Sequence, residues 1–483
     1  MKVAITYPPL GSQKGPPILS QSRHFQYYRY PQFHYPIIPA SAATLLKQAG
    51  FEVVWNDCIA TGCNYDNFSE FIKQERPDLI AIETKTPAVK QHWYIIERIK
   101  EIEINYKPKI VLFGDHVTAL PEESMRNCKV DFVITGGDYD FLLLNLCNYL
   151  NQRNESLQPG IWFRENGNIK STGRFQLNHN LDSLPFIDRD LTKWQLYGYK
   201  NGIYKRLPGT YIMSARDCWY PKCTFCSWSM LYPNFRIRKV ENVLDEIGML
   251  IDSYKIYEIM DDSGSFPIGN WLREFCYGMI ERGYSKKIYF DCNFRFSSDL
   301  FFSDYELMKK AGFRLLIVGL ESANQNTLDR INKKLTVEQI IESCKMISAA
   351  GLHLHICIMF GFPWEDYEDC LRTLKLTRYL LKKGYALTVQ ATIAMPYPGT
   401  TLFEECKRMS LLKSYDWDRY DMKEPIVKVP MEDARVMELV RSTYKIALNP
   451  EFIYRKLISI RDKYDLRYFF RAGRRAFNRI LNK

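Results

Sequence analysis

The sequence predicts an α/β chain with two layered units and a helical end, and three observations predict it. Short apolar runs alternate with helix-period stretches from Met1 to about residue 150. The alternation resumes at Gly209 and continues to Phe360. The last part of the chain mixes aromatic and basic residues at helical spacing. The expected divisions are a Rossmann-like domain over 1–150, a linker over 151–208, a partial (β/α) barrel over 209–401, and a helical C-terminal region with a basic tail over 402–483.

A length of 483 residues allows two or three domains with real cores. Hydrophobic content of 46% and charged content of 25% are ordinary for globular protein. Thirteen cysteines, an odd number without a repeating framework, argue against a secreted disulfide scaffold and for a reducing compartment. The opening Met1-Lys2-Val3-Ala4-Ile5-Thr6-Tyr7 reads as a buried strand rather than a signal peptide, and no apolar run is long enough to span a bilayer. A cytoplasmic protein is the expectation. The net charge of +11 is unevenly placed, because Phe452 to Lys483 carries ten Lys/Arg against Asp462 and Asp465.

In the first unit, strands are expected at Val3–Thr6, Glu52–Asn56, Asp78–Glu83, Lys109–Phe113 and Asp131–Thr135. Helices are expected at Ser41–Gln48, Lys90–Ile104 and Phe141–Leu150. Ligands of such sheets sit beyond the carboxyl ends of the strands. Those ends carry Tyr7-Pro8-Pro9, Thr84 to Thr86, Gly114 to Thr118 and Gly136-Gly137-Asp138. The long loop from Gly11 to Pro39 is crowded with aromatics between His24 and Tyr35, and reads either as a lid over a flat apolar ligand or as a self-packed surface loop. Between 151 and 208 only a small hairpin around Gly160 to Phe175 is expected.

In the second unit, the strand Tyr211–Ser214 runs straight into Cys218-Trp219-Tyr220-Pro221-Lys222-Cys223-Thr224-Phe225-Cys226. Three nearby thiols can ligate three irons of a cubane cluster and leave the fourth open, whereas closed iron–sulfur and structural zinc sites take four ligands. No further Cys or His follows at ligand spacing; the next cysteine is Cys276. An incomplete zinc knuckle, or a loop of unrelated thiols, is the plain alternative. Later strands are expected at Ile256–Met260, Lys287–Asn293, Leu315–Val318 and His353–Phe360, with helices at Leu244–Ser253, Trp271–Gly283, Tyr305–Ala311 and Val337–Ala350. In such series the strand carboxyl ends form the active face. Asp261, Asp262, Arg295 and Glu321 fall there; each alone could equally be a structural ion pair, but as a set they favour a site.

A strand ending in a three-cysteine loop, followed by βα units, resembles the radical S-adenosylmethionine superfamily. Gly114-Asp115-His116-Val117-Thr118, then Val130 to Asp138, are similar to the cobalamin-binding domain of its cobalamin-dependent branch. Gly319-Leu320-Glu321-Ser322, Gly361-Phe362-Pro363 and Pro396-Tyr397-Pro398-Gly399-Thr400 resemble that branch's later signatures, so the resemblance runs from Met1 to about Asp421. It departs in two places. The cysteine spacing is C-x4-C-x2-C where the superfamily usually has C-x3-C-x2-C, and Gly114 stands where methyl-carrying cobalamin domains have the Asp of D-x-H-x-x-G. His116 is therefore read as a loop residue near the cofactor, not a cobalt ligand.

The resemblance implies that Cys218, Cys223 and Cys226 bind a [4Fe–4S] cluster whose open iron chelates S-adenosylmethionine. It implies roles in cofactor binding for Phe225, Asp261, Asp262, Arg295 and Glu321. On the cobalamin side it implies the same for Tyr7, Pro8, Pro9, Gly114, His116, Thr118, Gly136 and Gly137. The implied activity is methylation of an unactivated carbon or phosphorus centre, through a 5′-deoxyadenosyl radical and methylcobalamin. An oxidative cyclase like anaerobic magnesium-protoporphyrin monomethyl ester cyclase is the alternative. RNA methylthiotransferases rank below both: here the first strand ends in Pro-Pro rather than Cys, and Cys58, Cys63 and Cys128 read as small buried hydrophobes. The expected partners are a small-molecule or lipid-like substrate and a one-electron reductant such as flavodoxin or ferredoxin. The basic tail suits peripheral contact with an anionic membrane, or a merely solvated face. A nucleic-acid partner is not expected.

Overall fold

The computed structural model describes residues 1–11, 14–18, 26–27, 33–153 and 156–481. Seven strands form the first sheet: β1 (Lys2–Tyr7), β2 (Glu52–Asp57), β3 (Leu79–Thr84), β4 (Lys109–Gly114), β5 (Phe132–Ile134), β6 (Ile161–Glu165) and β7 (Asn168–Ser171). Their spatial order is β2-β1-β3-β4-β5-β6-β7. The first five are parallel, and β6 and β7 add an antiparallel edge. Leu79 to Thr84 is buried at every position, as a central parallel strand covered on both faces must be. The chain order reverses between β1 and β3, where doubly wound sheets open a crevice.

Helix α1 (Ile37–Gln48) starts four residues before the expected Ser41. Pro39 does not prevent this, because a first-turn N–H has no intrahelical acceptor to lose. Helix α2 (Tyr65–Glu75), which the sequence reading passed over, begins at an Asn64 capping box. Helices α3 (Val89–Glu101) and α4 (Tyr139–Leu150) complete the unit.

The stretch over 151–208 is not a free tether. Its hairpin is the β6–β7 edge, and the rest is pinned to both units. Arg189 is fully buried and donates to Thr210 Oγ1 (2.7 Å) and the Tyr211 carbonyl (2.9 Å). Tyr197 donates to Asp57 Oδ2 (2.7 Å). The aromatic loop lies partly outside the described residues. Of those described, Tyr27, Phe33 and Tyr35 are buried, and His34 stacks on Tyr211 at 5.4 Å.

The second sheet runs β8 (Gly209–Ile212), β9 (Glu258–Asp261), β10 (Tyr289–Phe294), β11 (Phe313–Glu321), β12 (His353–Phe360), β13 (Thr388–Ile393), all parallel and in sequence order. Six strands joined this way make an open, partial barrel. Strand β13 and the helix Tyr367–Lys383 before it are missing from the sequence reading of the series. Helices α5 (Val240–Tyr254), α6 (Asn270–Glu281), α7 (Phe302–Lys310), α8 (Val337–Ala349) and α9 (Tyr367–Lys383) are the crossovers. The last region holds α10 (Thr401–Arg408), α11 (Asp433–Tyr444), α12 (Pro450–Ile458) and α13 (Lys463–Leu481). Among the described residues no helix is long and apolar enough to cross a membrane.

Gly114 shows what a sheet end demands. Its φ is +126°, and a Cβ there would lie 2.1 Å from the Thr84 carbonyl oxygen on the neighbouring strand. Gly114→Ala is expected to cost about 3 kcal/mol of stability, read by urea denaturation. An unchanged midpoint would show that the β3–β4 ends give way freely.

Candidate active site

Two neighbouring carboxylates of the first unit, Asp138 and Asp140, reach into the second. A short antiparallel pair, Ala215–Arg216 with Arg236–Ile237, closes the segment that holds the three cysteines. Arg216 and Arg236 are register partners, and like charges placed opposite each other repel. Asp138, at the end of β5 in the other unit, resolves this. It accepts from Arg216 at 3.0 Å, from Arg236 at 2.6 and 2.7 Å, and pairs with His179 Nδ1 at 3.0 Å. Asp140 takes the rest of the Arg216 guanidinium at 2.9 and 2.5 Å. Burial alone would raise the Asp138 carboxyl, but His179 and the two guanidinium groups outweigh it and hold the pKa well below the usual range.

The cysteine loop is fixed on its other sides as well. Tyr220 Oη donates to the Asn332 carbonyl (2.9 Å), Asn332 Nδ2 to the Lys222 carbonyl (3.0 Å), and the Leu402 amide to the Thr224 carbonyl (2.9 Å). Cys218, Cys223 and Cys226 are half-buried thiols on the wall of one cavity of about 1290 Å³. Among the described residues no three His, Cys, Asp or Glu side chains close on a single metal ion. A cluster that takes one thiolate per iron needs no such convergence, whereas a zinc knuckle does.

The expected strand-end residues divide. Phe225, Asp262, Arg295 and Glu321 line the cavity with the cysteines. Arg295 lies over the Tyr220 ring at 4.0 Å and donates to the Lys333 carbonyl, so it braces the loop. Glu321 has φ +63° at a β11 bulge and accepts from Lys333 Nζ at 2.7 Å. Burial lowers the Lys333 ammonium, but Glu321 and then Cys223 more than restore it. Asp261 is a correction to the expectation. It is fully buried, accepts from the Ser214 amide and hydroxyl at 2.8 and 2.5 Å, and ties β9 to β8 rather than facing the cavity.

On the first sheet none of the expected cofactor residues lines this cavity. Gly136 lies under the Phe175 ring and Gly137 under Tyr232, with hypothetical Cβ contacts of 2.5 and 2.0 Å. Thr118 Oγ1 donates to the Gly114 carbonyl (2.7 Å) and accepts from the Gly136 amide (3.0 Å). His116 is buried with both ring nitrogens engaged, to Glu123 at 3.0 Å and Thr86 at 3.3 Å, and Trp417 packs edge-on against it. Tyr7 is buried and donates to Glu83; Pro8 follows it buried, and Pro9 is half-buried. Burial pushes the Glu83 carboxyl up to about 7, against the opposing pull of Lys85 and Tyr7. The residues that face the cavity from the joint are Trp228, Tyr232, Met395, Tyr397 and Met422. This apolar, aromatic arm suits the broad face of a flat macrocycle.

Several cavity residues escaped the sequence reading. Lys333 sits in a turn with no periodic signal. His353, His355, Cys357 and Met359 of β12 line the cavity while Ile356 and Ile358 are buried on the other face. That period-2 alternation was legible. Gln390 and Thr392 followed the same rule on the missed strand β13. Cys58 and Cys63 are corrected too: they are bonded to each other, and Cys128 is a separate, buried free thiol.

Residues 214–376 match the Radical SAM superfamily and residues 29–141 the B12 binding domain. The chain belongs to the cobalamin-dependent radical S-adenosylmethionine enzymes. An uncharacterized methyltransferase, PH0819, of Pyrococcus horikoshii is 28% identical over 393 residues, covering 80% of this chain and 82% of that protein. The anaerobic magnesium-protoporphyrin IX monomethyl ester cyclase of Cereibacter sphaeroides is 26% identical over 399 residues, and the match spans 79% of this chain and 62% of that one. The fold is similar to that of the cobalamin-dependent radical enzyme OxsB, at TM-score 0.72 and 14% identity over 99% of this chain and 72% of OxsB. It is also similar to the methyltransferase TsrM of Kitasatospora setae, at TM-score 0.66 and 15% identity over 91% of this chain and 84% of TsrM. As in the family, the cofactors are a [4Fe–4S] cluster, S-adenosylmethionine and cobalamin.

Two outcomes test this geometry. Asp138→Asn leaves buried guanidinium groups under-compensated and is expected to cost about 3 kcal/mol in denaturant unfolding. The contribution of Asp138 is present above the ordinary Asp value of 3.8 and lost as the pH falls below it, so the variant should lack that acid-side loss. Glu83 has the opposite sign. Its pKa is raised, so stability falls as the pH rises from 4.5 through about 7, and Glu83→Gln should flatten that slope. Parallel slopes for variant and wild type would show that Glu83 is ionised throughout.

Proposed function

We propose that this protein transfers a methyl group derived from S-adenosylmethionine to an unactivated carbon, or a phosphorus, of a small molecule held in the barrel cavity. The observation that supports it is one continuous cavity, walled by the three thiols, by the β9–β13 lumen and by the apolar arm at the joint. When bound, the cluster supplies the electron that splits S-adenosylmethionine into a hydrogen-abstracting radical, and cobalamin carries the methyl group.

The roles of this chain's own residues follow from where they stand. Cys218, Cys223 and Cys226 hold the cluster as thiolates. Phe225, between two of them, excludes water. Asp262, Arg295 and the Glu321–Lys333 pair present opposite charges to the amino and carboxylate groups of S-adenosylmethionine. Trp228, Tyr232, Tyr397 and the two methionines offer the apolar contact for the corrin. The Asp138 node sets the distance between the two cofactor positions by clamping the domains together.

A flavodoxin- or ferredoxin-type protein is the proposed electron donor, and the cytoplasm the proposed compartment. The tail exposes Tyr454, Leu457, Ile458, Leu466 and Phe470 among its basic residues, which supports peripheral contact with an anionic membrane.

The test uses anaerobically reconstituted protein, reduced cobalamin and methyl-deuterated S-adenosylmethionine, with products read by mass spectrometry. Deuterated methylcobalamin and 5′-deoxyadenosine are both expected. Cys218→Ala, Cys223→Ala or Cys226→Ala should remove the cluster absorbance and abolish 5′-deoxyadenosine. Deoxyadenosine formed without any labelled methylcobalamin would overturn methyl transfer and favour the cyclase branch.

A further inference from the structure

The cavity has a second end. From the cysteine loop it runs along β10 to β13 to the amino-terminal ends of the strands, where Phe452, Ile460, Tyr468 and Phe469 of the α12–α13 region line it. Leu315 pairs with His353 at that floor, and Glu321 pairs with Ile358 near the cysteines. Six residues of β11 therefore separate the two ends, about 20 Å at ~3.3 Å per residue. Between them the wall includes the apolar Leu315, Ile317 and Met359, interrupted by His355 and Gln390.

Charge at the floor is unbalanced. Lys205, Lys309, Arg314, Lys456 and Arg461 all line it, against Asp462 and Asp465. Arg314 is neutralised from behind by Glu258 at 2.8 Å and Asp291 at 2.6 Å, and Lys205 by Asp465. Asp462 Oδ1 is spent on the Tyr464 and Asp465 amides, both at 2.8 Å. Lys456, whose pKa burial pulls down to about 7, donates from Nζ to the Leu387 carbonyl at 2.7 Å, which offers no countercharge. Lys309 and Arg461 have no side-chain ion pair among the described residues. The surroundings register the excess. Crowding by protein, then the charges of Arg314, Lys309, Lys456 and Lys205, push the His353 imidazole down to about 3. Lys309 is lowered by burial and then by Lys205, Arg461 and Arg314. Lys309, Lys456 and Arg461 thus face the cavity with Asp462 as the one lining carboxylate there not spent on another cation, and cations in excess in a cavity make a site for an anion.

We propose that the barrel floor, through Lys309, Arg461 and Lys456, binds the phosphate-type anionic group of an elongated, mainly apolar substrate whose body lies in the lumen. The inference deepens the function proposed above and rests on that cavity being the substrate's. A group anchored at the floor places a carbon about 20 Å along the molecule beside the cysteine loop.

The test is equilibrium binding to the full chain of dodecyl phosphate below its micelle concentration, with inorganic phosphate and dodecanol as comparison probes. Wild type is compared with the Lys309→Ala/Arg461→Ala double variant; neither side chain belongs to the hydrophobic core. Saturable binding of dodecyl phosphate is expected, weakened about tenfold in the double variant, with dodecanol indifferent to the substitutions. Equal binding of dodecyl phosphate by both proteins, or none by either, overturns the site. Inorganic phosphate binding as tightly as dodecyl phosphate would show a free-anion site and overturn the elongated substrate. The measurement needs neither cluster nor turnover, so failure of the radical chemistry leaves its outcome readable.

Discussion

Two buried carboxylates, Asp138 and Asp140, carry the mechanical problem of this protein. Two arginines face each other across the short pair that closes the cysteine segment, an arrangement that repels unless something negative is placed between them. Asp138 comes from the other domain, directly after Gly136-Gly137, so the pair can close only when the domains are docked. The ions are out of water, and such contacts are strongly directional because an unmatched partner would cost several kcal/mol. Domain docking and closure of the cluster loop are thereby made one event.

The same economy of packing explains the glycine-rich loops. Gly114, Gly136 and Gly137 have the backbone permissiveness of a ligand-binding loop, but what approaches them is protein: the Thr84 carbonyl, Phe175 and Tyr232. Gly399 likewise accommodates Met230 and Ala119, from the cysteine segment and the first domain. Gly137 brings Tyr232 of the second domain close, and Tyr232 belongs to the surface presented at the joint. Glycine told where a close approach occurs, not what makes it.

The C-terminal region also spans the molecule. Trp417 packs on His116 and donates to Glu123 at 3.0 Å, and Lys90 pairs with Asp416 at 2.8 Å. Helices α12 and α13 close the opposite end of the barrel. A region that looked like an appendage in composition closes the cavity at its floor and braces the first domain at its top. Its basic residues accordingly have two settings, an outer face among exposed apolar side chains and an inner face lining the cavity.

By itself, the sequence determined the parallel strands of the two sheets, the position of the three-cysteine loop at a strand end, and the cobalamin-dependent radical character of the chain. Apolar periodicity and turn residues act locally, and the motif spacings are local too. Strand β13 was lost because Thr388 to Ile393 alternates polar and apolar residues, the signature of a lumen wall rather than of a buried parallel strand. Only the tertiary structure decided which strand-end carboxylate faces the cavity. Asp261 and Asp262 are adjacent in sequence and chemically identical, but the pleat sends one to Ser214 and the other to the site. It alone decided the partners of Arg216, Glu321 and Lys333, which come from positions distant in the chain or from a turn without periodicity. Pairing of that kind depends on where the backbone returns, and no local pattern encodes it.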